Sequence, residues 1–167
     1  KSDAAMVALR EKYIAHLERT FKLLGEPADW ASESAKIVMQ IETELARATL
    51  SRVDRRDPRK VYHRMNLAAL QKLTPTFLWS DYLAATGLQA APATFAVNVQ
   101  EPEHLKAVEK VLAQRSLADL RTYLRWHLVR VVASDLSAPF RQADFDFYSA
   151  TLRGVPEPPA RWQECVD

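Results

Sequence analysis

The side chains with the most chemistry to offer are four histidines, His16, His63, His104 and His127, a single cysteine, Cys165, and a cationic stretch from Arg52 to Arg64. A hydrolytic zinc centre built on one helix needs two histidines a turn apart and a glutamate beside the first, so that metal and general base share a face. No His-Glu-x-x-His is present, and the four histidines stand tens of residues apart. Spacing therefore indicates no metal ligand and no catalytic residue in the chain. Cys165 has the acidic neighbours Glu164 and Asp167 and no histidine nearby in sequence, which disfavours a thiolate. It reads as a small apolar plug, or as half of a disulfide whose mate lies outside the chain. Three isolated glycines leave no phosphate-cradling loop and no Gly-x-Ser-x-Gly elbow.

The cationic stretch invites a different chemistry. Arg52, Arg55, Arg56, Arg59, Lys60 and Arg64 could neutralise phosphates. Against a nucleic-acid partner, Asp54 and Asp57 interrupt the run, and 23 basic residues against 21 acidic ones leave a net charge of only +2. No helix-turn-helix or base-stacking pattern accompanies it. The knot is better read as structural: arginine forks beside aspartates form bidentate pairs that pin a loop, and Pro58 stiffens it. Such a loop would hold the segment after it against the first helices.

The elements around these residues follow from apolar spacing. With 167 residues and 48% hydrophobic content, the chain can bury one core, and a single domain is expected. Met6, Leu9, Tyr13, Leu17, Phe21 and Leu24 line one face of a helix from about Asp3 to Leu24. Ala35, Val38, Ile41, Leu45 and Ala48 line a second, started by Pro27 and Asp29 and ending near Leu50 or Arg52. The short link Gly25-Glu26-Pro27 makes the two an antiparallel pair. Asn66 caps a helix through about Leu73, and Thr76 caps another over 77–86. Thr94 to Val99 alternates as a strand that must find an edge elsewhere, its partner left open between this chain and sequence outside it. Pro102 opens a helix to about Ala113. Ser116 and Asp119 form a capping box before Leu117, Leu120, Leu124, Leu128, Val131 and Val132, read as a buried face running to about Leu136. Ser137 and Pro139 start a helix carrying Phe140, Phe147 and Thr151 on one face, and Gly25, Gly87 and Gly154 each read as a helix stop. The fold class is all-α, with a long N-terminal helix pair and at most one short β element near Thr94–Val99. No apolar run approaches the roughly 18 to 20 residues that span a bilayer, and no signal-peptide pattern opens the chain; if the parent protein is exported, its targeting segment lies upstream.

In order along the chain, Asp54-Arg55-Arg56-Asp57-Pro58, Tyr62, Met65, Asn66-Leu67-Ala68-Ala69-Leu70, Trp79-x-x-Tyr82-Leu83, Leu120-x-x-Tyr123-Leu124-x-Trp126, Leu152-x-Gly154 and Arg161-Trp162-x-x-Cys165 resemble landmarks of the amino-terminal helical region of neprilysin and endothelin-converting-enzyme-like zinc metallopeptidases. Departures are mild: His63 and Asn66 stand where Asn and Thr are commoner. The resemblance implies a zinc endopeptidase of two lobes around a closed cavity. Residues 1–167 would be a fragment of its non-catalytic lobe, covering the cavity and limiting entry to oligopeptides. Zinc would belong to the full-length parent only, and no catalytic, cofactor or metal residue carries over. Arg55, Arg56, Asp57, Pro58, Tyr62, Arg161 and Trp162 are expected to be structural. The implied partners are the catalytic lobe of the same polypeptide and its peptide substrates; the implied location is extracytoplasmic, as a periplasmic, secreted or membrane-anchored ectodomain. Severed from its partner lobe, the chain is expected to self-associate or to bury its strand against a neighbour. The alternatives are a stand-alone helical interaction module and, less favoured, a nucleic-acid binder through Arg52–Arg64.

Overall fold

The computed structural model describes residues 3–88, 96–158, 160 and 162. Among them are seven α-helices: α1 (Ala4–Leu23), α2 (Ala28–Arg47), α3 (Leu67–Leu73), α4 (Trp79–Ala85), α5 (Pro102–Gln114), α6 (Leu117–Val131) and α7 (Ala138–Asp144). A π-helical segment, Phe145–Thr151, continues α7, and two strands of two residues, β1 (Arg64–Met65) and β2 (Val97–Asn98), make a minimal sheet. The fold is mostly α. Two compact units are formed, one from residues 1–40 and 117–167, the other from residues 41–116.

In the first unit, Asp3 closes the start of α1 by accepting the Ala5 N–H at 3.1 Å. Gly25, at φ 88°, takes the left-handed turn that ends it, and the Glu26 N–H returns to the Phe21 carbonyl. The chain reverses, and α2 lies back along α1, as the short link predicts. Ser32 donates to Glu18 at 3.0 Å, and Leu17, Phe21, Ala31, Ala35, Val38 and Trp126 form one core. Leu17 and Phe21 are fully buried, each contributing about 1.5–3 kcal/mol relative to exposure. The predicted face of α1 is buried only toward its C-terminal half; Met6 is exposed.

The face of α6 that turns inward is not the one its leucine spacing predicts. Leu117, Leu124, Leu128 and Val131 are exposed, and the helix turns Trp126 and Val129 inward with Tyr123 against the core. Trp126 fills space beside Tyr13 and Phe21 that no leucine could. α6 also stops at Val131, with a 3₁₀ turn at Ala133–Asp135, where a helix to Leu136 is expected.

The second unit is tied by side chains gripping backbone. Asn66 caps α3 through the Ala69 N–H at 2.8 Å, as expected. Gln71 staples the α3–α4 turn, its amide donating to the Thr74, Pro75 and Phe77 carbonyls. Thr76 does not cap α4, which starts at Trp79 after Leu78. Its N–H and hydroxyl both donate to Glu109 of α5, at 2.6 and 2.8 Å, and a carboxylate outcompetes a local cap. The strand's partner, open in the sequence, is resolved. β2 finds its partner within the chain, pairing antiparallel with β1 in the register Arg64 to Asn98 and Met65 to Val97. Thr94 and Phe95 lie outside the described residues. The Val99 N–H extends the pairing to the His63 carbonyl, and Asn98 donates to the Val61 carbonyl while accepting the His63 N–H.

Candidate functional site

The cationic knot is anchored, though not by the pairs its sequence suggests. Ser51 and Asp54 exchange hydrogen bonds across the 3₁₀ turn Asp54–Arg56, and Lys60 closes it with an ion pair to Asp54. This contact holds the Asp54 carboxyl below its ordinary range, helped by the Ser51 hydroxyl, and raises the Lys60 ammonium. Asp57 accepts the Arg59 N–H in a local turn rather than an arginine fork. The long-range anchor is Glu101, at the N-terminus of α5. Its Oε2 accepts the Leu50 N–H at 2.7 Å and its Oε1 accepts Arg55 Nε at 2.8 Å. The Leu50 bond is the first cause, before Arg55, of a carboxyl held below the usual range. Arg56 and Pro58 are exposed, Asp57 is half-buried, and Tyr62 and Trp162 are exposed; Arg161 and Cys165 lie outside the described residues. Of the residues expected to be structural, Arg55 makes a long-range ion pair, to Glu101.

Two features have no site role assigned by the sequence. Phe77, Trp79 and Tyr82 form an aromatic cluster that, with Leu105, Val108 and Leu112 of α5, lines a groove of about 220 Å³. Trp79 is oriented there by its indole N–H, which donates to the buried Thr74 hydroxyl at 2.8 Å. The Trp79-x-x-Tyr82 spacing is the one sequence signal for it. The other is His16, caged by Tyr13, Trp126, Phe147 and Tyr148, with the Phe147 ring stacked 5.0 Å away. Burial, then Arg19, lowers its pKa to about 4, so the imidazole is neutral at pH 7.

The described histidines have other partners than a metal. His63 engages the Val99 carbonyl, His104 meets Thr49 and the Leu45 carbonyl, and His127 packs on the Tyr123 ring. No group of three or more His, Cys, Asp or Glu is poised around a metal position among the described residues. The arrangement offers a braced scaffold with an apolar groove and an exposed cationic loop.

The sequence matches the family model described as Peptidase family M13 over residues 1–167. It is similar to human endothelin-converting enzyme-like 1, 32% identical over 133 residues, covering 78% of this chain and 17% of that protein. Mouse membrane metallo-endopeptidase-like 1 is 29% identical over 170 residues, covering 95% of this chain and 22% of that protein. The inhibitor complex of the Mycobacterium tuberculosis zinc metalloprotease Zmp1 superimposes with a TM-score of 0.88 and 29% identity, over 99% of this chain and 25% of that one. The chain thus spans a quarter or less of the length of these proteins. It belongs to peptidase family M13, as part of the family's N-terminal region.

Proposed function

We propose that residues 1–167 are part of the non-catalytic helical lobe of a neprilysin-like zinc metalloendopeptidase, covering the active-site cavity and restricting substrates to oligopeptides. The observation that carries this reading is that an M13 N-terminal match spans the whole chain while its sequence contains no helical zinc motif. Zinc and the general base would come from elsewhere in the parent polypeptide, and peptide substrates would meet both regions. What this chain contributes is shape: a helix pair with a fully buried core, and a loop and sheet tied by Glu101, Asn66, Gln71 and Asn98. A wall that excludes folded proteins must resist deformation, and side chains gripping backbone groups provide that. An extracytoplasmic location is part of this reading, and the name of membrane metallo-endopeptidase-like 1 is in keeping with a membrane-associated enzyme; among the described residues no helix is long and apolar enough to cross a membrane.

The test compares kcat/KM of the parent polypeptide on peptides of increasing length and on a folded protein. A steep fall with length and resistance of the folded substrate are expected. Loosening the helix pair by Phe21→Ala should raise cleavage of long substrates relative to short ones. Equal cleavage of short peptides and folded protein by the unmutated enzyme would overturn the reading.

A further inference from the structure

α6 is apolar on two opposite sides. One side sends Trp126, 1% exposed, and Val129 into the core with Tyr123. On the other, Leu117, Leu124 and Val131 repeat every seven residues with Leu120 and Leu128 between them. Leu117, Leu124, Leu128 and Val131 are 63%, 65%, 64% and 77% exposed. A helix that ends at solvent carries polar residues on its outer face; one apolar on both sides belongs inside a larger body. A heptad of aliphatic residues is a seam for packing against another element.

The composition of the stripe points to its occupant. Interfaces between separate proteins are anchored by Trp, Tyr and Arg, and Leu and Val are under-represented among their strongest contacts. This stripe is Leu and Val alone, the composition of a domain core. The extent of the chain agrees. It aligns over 99% of its length with Zmp1 yet spans 25% of that protein, so most of a polypeptide of that size lies outside residues 1–167. We propose that the outer face of α6 is a core seam, covered by an aliphatic segment of the same longer polypeptide outside residues 1–167, which makes α6 a central helix of its lobe. This rests on membership of the family, not on the covering role proposed above, and it stands or falls separately from substrate selection.

Hydroxyl-radical footprinting of the unmutated parent polypeptide, read by mass spectrometry at single leucines, tests it. Each rate is normalised to that of the same leucine after unfolding in urea. Leu124 and Leu128 should be modified as slowly as the core residue Leu17, about tenfold or more below their unfolded rates, as for side chains in full contact, and unchanged on dilution. Rates near those of the unfolded chain would overturn the proposal. So would protection that disappears on dilution, since the cover would then be a second copy or a separate partner.

Discussion

Replacing Glu101 by glutamine tests how the cationic loop is held. The substitution keeps the side-chain length and one carbonyl acceptor but removes the charge shared by the Leu50 N–H at 2.7 Å and Arg55 Nε at 2.8 Å. The Leu50 amide is part-buried, and a hydrogen bond to a charged acceptor contributes about 1.5–3 kcal/mol. Arg55 is half-exposed, so its ion pair adds at most about 1 kcal/mol. Glutamine retains part of the first and none of the second, and a loss of about 1–2 kcal/mol is expected, rising to about 2–3 kcal/mol in Glu101→Ala. In amide hydrogen exchange, with about 1.4 kcal/mol per factor of ten, the Leu50 amide should exchange roughly 5- to 30-fold faster in Glu101→Gln. The pH dependence has a definite sign. The carboxyl of Glu101 is depressed in the folded state. Its contribution is therefore full above the ordinary glutamate value of about 4.3 and is lost as pH falls through the lower folded value. The ratio of variant to wild-type exchange at Leu50 should shrink toward one in acid. A ratio of one at pH 7, or one that grows in acid, would refute the assignment of Glu101 as the anchor.

Other perturbations read other parts of the fold. His16 has its folded pKa lowered to about 4 from 6.5, so the unfolded chain binds the proton more readily between those values. Stability should therefore fall as pH drops from about 6.5 to 4, a loss on the order of 3 kcal/mol that His16→Phe removes, measured as the pH slope of urea unfolding. Asn66→Ala loses the cap on Ala69 and should cost about 1 kcal/mol, seen as faster exchange in the first turn of α3. Phe21→Ala, at a fully buried position, should cost about 3–5 kcal/mol in thermal or urea unfolding. The isolated chain should self-associate through the bare face of α6, and Leu124→Lys with Leu128→Lys should leave it monomeric in sedimentation.

What the sequence made legible was local. α1 and α2 are long amphipathic runs separated by a glycine in a left-handed turn, and Asn66 carries its cap in its own side chain, so spacing alone suffices. What escaped depends on choices between competing partners. Thr76 has cap chemistry, but Glu109 offers a charged acceptor 33 residues away in sequence. Arg55 has aspartates beside it, yet Glu101 takes it because that carboxylate must already meet the Leu50 N–H. β1 is two residues long and has no alternation to recognise. In α6 the spacing gives the helical period and not the buried side: a helix with apolar stripes on two opposite sides offers no preference between them, and Trp126 decides it by volume. The π-helical register of Phe145–Thr151 has no composition signature at all.

We propose that this region of an M13 peptidase shapes access to a metal it does not hold. Elemental analysis of the purified chain of residues 1–167, after equilibration with zinc and gel filtration, tests that most directly, set beside the parent polypeptide treated alike. No stoichiometric zinc and no peptide hydrolysis are expected in the chain alone, with both in the parent. Zinc retained one-to-one by residues 1–167 would contradict it.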